Sequence, residues 1–192
     1  MKKALFVILG IFILIIIYAF GFYNKMITAG EEVDSKWAQV ENVYQRRQDL
    51  IPNLVNTVKG YASHEEETLL SVVEARAKSV STNININNTE ELAQFKVQQQ
   101  ELSKGLGRLM AIAESYPDLK ASQNFSKLQD QLEGSENRIS IERKRFNEAA
   151  KNYNVVIKRF PGRFFASIFG FEKKNYFEAA EGAEVAPEVN FE

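Results

Sequence analysis

The sequence predicts an all-α protein, in which an N-terminal transmembrane helix is followed by a long antiparallel bundle of three helices, or of four. Two observations predict this class: an uncharged apolar run near the N-terminus, and apolar residues that recur every seven positions over most of the remaining chain. The length of 192 residues suits one domain with appendages. We expect a membrane anchor at residues 1–23, a bundle domain at 24–161, an aromatic amphipathic segment at 162–177 and an acidic tail at 178–192.

Composition and charge exclude several classes of function. The chain has no cysteine, which excludes a disulfide framework, a thiol nucleophile and Cys-ligated zinc. Its one histidine, His64, excludes metal sites that need two imidazoles. The 24 basic and 25 acidic residues leave a net charge of −1, which argues against a nucleic-acid partner because such binding relies on phosphate neutralisation.

The anchor is the uncharged run of twenty residues from Ala4 to Tyr23. As a helix it would cover a hydrocarbon core of about 30 Å. A cleaved signal peptide is the alternative, but its apolar region is usually only ~7–15 residues long, so we favour a retained anchor. Lys2 and Lys3 favour a cytoplasmic N-terminus. We therefore expect a single-pass protein of the cell (inner) membrane whose soluble domain lies outside the cytoplasm.

The first bundle helix begins near Val33, where two sets of positions at seven-residue spacing are mostly apolar or aromatic. The first set is Val33, Val40, Arg47, Leu54, Tyr61, Thr68 and Ala75; the second is Trp37, Tyr44, Ile51, Val58, Glu65, Val72 and Ser79. Pro52 interrupts the backbone hydrogen bonds of the helix, and Gly60 with the capping pattern Ser63-x-x-Glu66 could stop and restart it. Because the spacing keeps its phase through these residues, it predicts one kinked helix. A break at residues 60–63, giving a fourth helix, is the alternative.

A polar connector at residues 81–88 leads to a second bundle helix, which begins with the capping pair Asn88 and Glu91 and ends near Ser115. A turn at residues 116–118 precedes the third helix. The third helix carries the most regular repeat: Phe125, Leu132, Ile139, Phe146, Tyr153 and Phe160. The second helix is the shortest, so its longer neighbours overhang. The overhang predicts self-association, unless the C-terminal segment covers it.

Several polar residues occupy core positions of these repeats. Arg47, Glu65 and Glu142 are the charged ones, and we expect them to form a structural polar core because an unpaired buried charge is costly. Arg47 with Glu142 is one possible pair.

No catalytic or metal-binding motif is complete in the sequence. The run His64-Glu65-Glu66-Glu67-Thr68 has a threonine where a zinc protease motif needs its second histidine. Gly105-Leu106-Gly107 lies within a predicted helix and lacks the strand that precedes a nucleotide-binding loop. We therefore predict no enzyme activity, no cofactor and no metal.

The C-terminal aromatic segment is the candidate interaction site. Its residues are Phe160, Phe164, Phe165, Ile168, Phe169, Phe171, Tyr176 and Phe177. The residues at 164, 165, 168 and 169 fall on one side of a short helix between Gly162 and Gly170, flanked by basic residues. We favour packing of this segment on its own bundle. A protein partner or a lipid headgroup layer are the alternatives.

Three blocks of the sequence closely resemble the LemA family of bacterial membrane proteins. They are WAQVENVYQRRQDLIPNLVNTVKGYASHEEET at 37–68, ERKRFNEAAKNYNVVIKRFP at 142–161 and FGFEKKNYFEAAEGAEVAP at 169–187. The resemblance implies a transmembrane helix with an all-helical soluble domain, and it supplies no catalytic residue. Members often occur beside membrane metalloproteases, which implies an accessory or scaffold role. Family descriptions place the N-terminus outside the cell, opposite to the orientation that Lys2 and Lys3 favour.

These observations predict a non-enzymatic scaffold or adaptor of the bacterial envelope that acts through protein–protein interaction and self-association. The expected partners are the membrane, a second copy of the chain, and a membrane protease or other envelope protein. A membrane-shaping oligomer whose aromatic segment contacts lipid is the alternative, and an enzyme is a third and weaker hypothesis.

Overall fold

The computed structural model describes residues 2–80 and 84–177, so the predicted acidic tail at 178–192 and part of the connector lie outside the described residues. The helices are α1 (Lys2–Tyr61), α2 (Glu66–Val80), α3 (Thr89–Glu114), α4 (Pro117–Lys120), α5 (Gln123–Lys158) and α6 (Gly162–Phe169). Within the described ranges there is no β-strand, and the predicted all-α class is confirmed.

Helix α1 joins the predicted anchor to the bundle without a break. Its 60 residues extend for about 90 Å. Among the described helices it is the one long and apolar enough to cross a membrane, and residues 5–18 within it are all exposed. The first side chain of α1 that is fully buried in the bundle is Met26.

The prediction of one continuous helix through Gly60 is wrong, and the alternative of a break is right. Helix α1 ends at Tyr61, four residues form a turn, and α2 runs back along α1 from Glu66. Four residues are close to one helical turn, so the seven-residue count continues from Val58 to Val72 although the chain reverses.

Pro52, in contrast, lies inside α1 and does not end it. A proline cannot donate the hydrogen bond to the carbonyl four residues earlier, which here is that of Gln48. Arg76 of α2 supplies the missing donor, since its Nε lies 2.9 Å from the Gln48 carbonyl oxygen.

The long helices form an up-down-up-down bundle in which α1 is antiparallel to α5. Trp37 of α1 packs on Phe146 of α5 at 5.5 Å between ring centroids, and ten residues further along α1 Arg47 reaches back to Glu136. Trp37 also packs on Phe95 of α3, at 5.7 Å. The start of α3 is capped as predicted, because Asn88 Oδ1 accepts the amides of residues 90 and 91.

The bundle contains two apolar clusters. The span-proximal cluster lies near the candidate span and includes Met26, Trp37 and Phe146. The span-distal cluster includes Ile51 and Leu132. Buried polar side chains separate the two clusters: Arg47, Gln48, Ser79, Gln99 and Ser135. We call these five residues the polar layer.

The repeat of the third predicted helix is confirmed for five of its six positions. Residues 125, 132, 139, 146 and 153 of α5 are buried. Phe160 is the exception, because α5 ends at Lys158 and the side chain of Phe160 is 91% exposed. The overhang of α1 and α5 beyond the shorter helices is covered by α6 and the extended residues that follow it, which join the span-proximal cluster. The overhang itself therefore gives no reason for self-association.

Candidate interaction site at the junction of anchor and bundle

Helix α6 lies against the end of the uncharged run of α1, and two glycines set its bounds. A Cβ atom added at Gly162 would lie 2.1 Å from the carbonyl oxygen of Val156, so only glycine permits this close turn after α5. Gly170 ends the helix in the left-handed conformation, with φ at 74°.

One side of α6 faces α1. Phe165 is buried and stacks on Phe22, with ring centroids 5.6 Å apart, and it also meets the edge of Tyr18. Farther along, Phe169 and Phe171 both pack on Tyr23, at 5.1 and 5.7 Å. The aromatic residues of the segment thus contact α1 from Tyr18 to Tyr23.

The other side of α6 is apolar and exposed. Phe164 and Ile168 are each about 60% exposed, and Phe160 projects beside them from the turn before the helix. Phe160 and Phe164, together with the exposed side of α1, border an open groove of about 1050 Å³. Its lining is apolar except near Lys25.

Residues 171–177 run back along the bundle as an extended segment held by two asparagines of α5. Asn154 Nδ2 donates to the Lys174 carbonyl and Asn154 Oδ1 accepts the Lys174 amide, both at 2.9 Å. Asn147 makes the same pair of hydrogen bonds to Phe177, both at 2.8 Å. Each asparagine side chain therefore binds both the N–H and the C=O of one residue, as a residue of a neighbouring antiparallel β-strand would.

Phe177 fills an aromatic pocket of the bundle and is 5% exposed. Its ring stacks on Trp37 at 5.7 Å and meets the rings of Phe146 and Phe95 at 5.7 and 6.4 Å. The Arg143 guanidinium lies 4.8 Å from the centroid of the Phe177 ring, a cation–π contact. Tyr176 is half-buried against the same cluster. The C-terminal segment thus divides into side chains that pack on the bundle and side chains that project from it.

The polar layer is centred on Arg47, which is 1% exposed. Its guanidinium donates to Glu136 at 2.5 Å, to Gln99 Oε1 at 2.5 Å and to Ser103 at 3.0 Å. It also lies over the ring of Tyr44. The partner is therefore Glu136 of α5, and the possible pair with Glu142 does not form.

The other two predicted members of the polar core lie elsewhere. Glu142 pairs with Arg145 on its own helix at 2.7 Å. Glu65, in the turn before α2, accepts a hydrogen bond from Tyr116 at 3.1 Å, and this bond raises the pKa of the Tyr116 hydroxyl. The structure therefore brings none of these three charged residues together.

Burial affects two tyrosines of the bundle. It raises the pKa of the Tyr44 hydroxyl above its usual 10.0, and nearby Arg143 and Arg47 oppose part of that rise. Burial also raises the pKa of Tyr153, and the carboxylates of Asp34 and Glu172 add to the effect. Both hydroxyls thus stay protonated at neutral pH and act as neutral groups.

Sequence reasoning missed Gln48, Asn147 and Asn154. The two asparagines lie one heptad apart on α5, a signal that was available, but they lie outside the apolar repeat. Over residues 2–80 and 84–177, no group of His, Asp or Glu side chains is arranged to hold a metal ion.

A candidate membrane span that continues into an antiparallel helical bundle defines an all-α protein that fits a membrane location. The model of the LemA family matches residues 36–191, and the chain belongs to the LemA family. The resemblance found in the sequence is thereby confirmed.

Three related proteins illustrate the range of the similarity. Magnetosome protein MamQ of Magnetospirillum gryphiswaldense is 27% identical over 87% of this chain and 70% of its own length. Magnetosome protein MamQ 2 of Paramagnetospirillum magneticum is 27% identical over 81% of this chain and 64% of its own length. Protein LemA of Metamycoplasma hominis is 26% identical over 92% of this chain and 78% of its own length. The chain thus spans about two thirds of the MamQ proteins, and neither MamQ nor LemA is the name of an enzyme.

Proposed function

We propose that the chain is a non-enzymatic, single-pass scaffold of the bacterial envelope, anchored in the inner membrane by residues 1–23. The observation that carries this proposal is the continuity of α1, which links the candidate span to the bundle with no flexible linker. A rigid connection of this kind holds a binding surface at a defined position relative to the membrane.

The distribution of buried residues supports a binding role. The interior of the bundle is filled by its two apolar clusters and the polar layer between them. Open surfaces on the outside of the helices are therefore the places where a partner would bind. The proposed partners are a second copy of the chain and an envelope protein such as a membrane protease, and nucleic acid is not among them.

Purification of the full chain from detergent-solubilised membranes tests this proposal. The expected result is a specific protein partner identified by mass spectrometry, together with a particle mass above that of one chain by light scattering. The matched control is an unrelated helical bundle carried on residues 1–23, which keeps the anchor and removes the bundle of this chain. A chain that is monomeric and retains no more protein than an unrelated anchored bundle would contradict the scaffold role.

A membrane-organising oligomer is the second candidate. The exposed Phe160, Phe164 and Ile168 beside the candidate span support it, because apolar side chains at that level can enter a lipid layer. Electron microscopy of vesicles that contain the full chain tests it. Tubules or altered vesicle size, absent with a Phe160→Ser, Phe164→Ser, Ile168→Ser variant, are the expected result.

A further inference from the structure

The groove between α1 and α6 lies at a defined depth along the candidate span. Helix α6 contacts α1 from Tyr18 to Tyr23, the last residues of the uncharged run. Five residues of helix cover about 8 Å. This length of contact along the candidate span matches the depth of about 5–10 Å to which amphipathic helices enter the boundary between headgroups and acyl chains.

The groove is apolar except near Lys25, and it is open. Ile11, Leu14 and Ile15 line it on α1, and Phe160 and Phe164 line it on the other side. Each of these five side chains is more than half exposed in the chain alone. In a protein held by α1 in a bilayer, acyl chains are the apolar material at this depth.

The charged residue that lines the groove is a base, and the stretches of chain that form the groove contain no acid. Residues 4–30 and 155–171 contain four bases, Lys25, Lys158, Arg159 and Arg163, and no acid. In sequence, the nearest acidic residues to these stretches are Glu31 and Glu172. Lys25 borders the groove itself, and Arg159 and Arg163, which flank the groove residue Phe160 in sequence, are exposed.

We propose that this groove binds an anionic phospholipid, whose acyl chain lies between α1 and α6 and whose phosphate is contacted by Lys25, Arg159 and Arg163. The proposal rests on the membrane anchoring proposed above and not on the scaffold's protein partners. Helix α6 then acts as an interfacial helix that fixes the depth of the bundle and selects lipid by charge.

Quenching by bromine atoms on lipid acyl chains tests the contact in the full chain. Phe164→Trp places a reporter at the groove, and Ile141→Trp places a matched reporter on α5, at a half-exposed position away from the anchor. In vesicles of acyl-brominated phosphatidylcholine and phosphatidylglycerol, we expect strong quenching of Trp emission for the first variant. The second should show no more quenching than the unaltered chain with its buried Trp37.

The selectivity is tested by placing the bromine on only one lipid. With brominated phosphatidylglycerol as the minor component, quenching of the Phe164→Trp chain should exceed that with brominated phosphatidylcholine at the same fraction. Adding Lys25→Gln, Arg159→Gln and Arg163→Gln should reduce the preference, by up to roughly five-fold per base. The control, with Lys59→Gln, Lys104→Gln and Lys127→Gln at exposed sites of the bundle, should keep it.

A Leu9→Trp chain separates the possible failures, because Leu9 lies within the candidate span and outside the groove. Quenching of Leu9→Trp without quenching of Phe164→Trp would overturn the lipid site and leave the anchor intact. Equal quenching by the two brominated lipids would overturn the selectivity. No quenching of either chain would overturn both the lipid site and the anchor.

The scaffold role has its own readout. If Phe160→Ser, Phe164→Ser, Ile168→Ser lowers the particle mass or removes a co-purified protein while Phe164→Trp is not quenched, the surface binds protein and the lipid proposal is wrong. If the lipid preference is present and no partner is found, the lipid proposal stands and the scaffold proposal fails.

Discussion

At the scale of single residues, the buried charge of Arg47 shows how the bundle accommodates a polar group in its interior. The guanidinium donates hydrogen bonds to Gln99, Ser103 and Glu136. Because Glu136 is nearly half exposed, the charge of Arg47 is neutralised at the edge of the core. Removing one member of a buried ion pair lowers the stability of a protein far more than removing one member of an exposed pair.

Arg47→Ala should therefore lower the free energy of unfolding by about 3 kcal/mol, since it leaves a cavity and strands the Gln99 oxygen. Urea unfolding followed by circular dichroism measures the change. Arg46→Ala is the control, because Arg46 is the exposed neighbour on the same helix and should change stability by less than about 0.5 kcal/mol. Equal effects of the two substitutions would show that the polar layer adds nothing.

The contact of Arg76 with the Gln48 carbonyl allows a double-mutant cycle. Arg76→Met removes the donor that replaces the missing amide of Pro52 and should cost about 1 kcal/mol. In a Pro52→Ala background the helix makes its own hydrogen bond, so the same substitution should cost much less. A cost that is identical in the two backgrounds would exclude the proposed compensation.

The sequence predicts which residues are buried at this scale better than which residues pair. The heptad positions place Arg47 in the core, and it is there. The choice between Glu136 and Glu142 depends on the axial offset between α1 and α5, which the spacing within either helix does not contain. The sequence also does not reveal that the Gln48 carbonyl accepts a hydrogen bond from Arg76.

At the scale of elements, Asn147 and Asn154 can both bind the extended segment because the spacing of residues along α5 matches the spacing along the segment. One heptad of helix rises about 10.5 Å. Three residues of extended chain, from Lys174 to Phe177, cover about 10 Å. The two asparagines are thus spaced to bind every third backbone amide of a straight segment.

Asn147→Ala with Asn154→Ala should release residues 171–177 from α5. The expected result is faster hydrogen exchange at the amides of Lys174 and Phe177, by ten-fold or more if each lost pair of hydrogen bonds is worth about 1–2 kcal/mol. Asn152→Ala, at an exposed position between them, is the control and should leave exchange unchanged. Unchanged exchange in the double variant would mean that Phe177 alone holds the segment.

The two adjacent phenylalanines of α6 should behave oppositely. Phe165→Ser removes a buried ring from its stack on Phe22 and should destabilise the chain by about 3 kcal/mol. Phe164→Ser removes an exposed ring and should leave the melting temperature nearly unchanged. Thermal unfolding in detergent compares them, and similar losses would show that α6 does not have an inner and an outer side.

The elements themselves were largely predictable, and their junctions were not. The capping pair at Asn88 and the repeat of α5 predict those helices well. The repeat does not reveal the break after Tyr61, because a turn of four residues preserves the phase of the repeat. The extended conformation of residues 171–177 was not predictable from their own sequence, because asparagines of α5 hold it.

At the scale of the whole molecule, the charges beside the candidate span predict an orientation in the membrane. Lys2 and Lys3 predict a cytoplasmic N-terminus, so a reporter enzyme that is active only in the periplasm should be active when fused after Glu192. A cytoplasmic reporter at the same position is the control and should be silent. The reverse pattern would invert the assignment and agree with the orientation given in the family descriptions.

Because α1 is unbroken, a tilt of the candidate span would also move the far end of the bundle. From Tyr23 to Tyr61 the helix extends about 57 Å. Membrane helices tilt by about 20° on average, and a tilt of that size moves the far end of such a rod sideways by about 20 Å. Because tilt depends on the thickness of the bilayer, the same chain would reach to different heights and positions in thin and thick membranes. The geometry converts a property of the lipid into a displacement at the opposite end of the bundle.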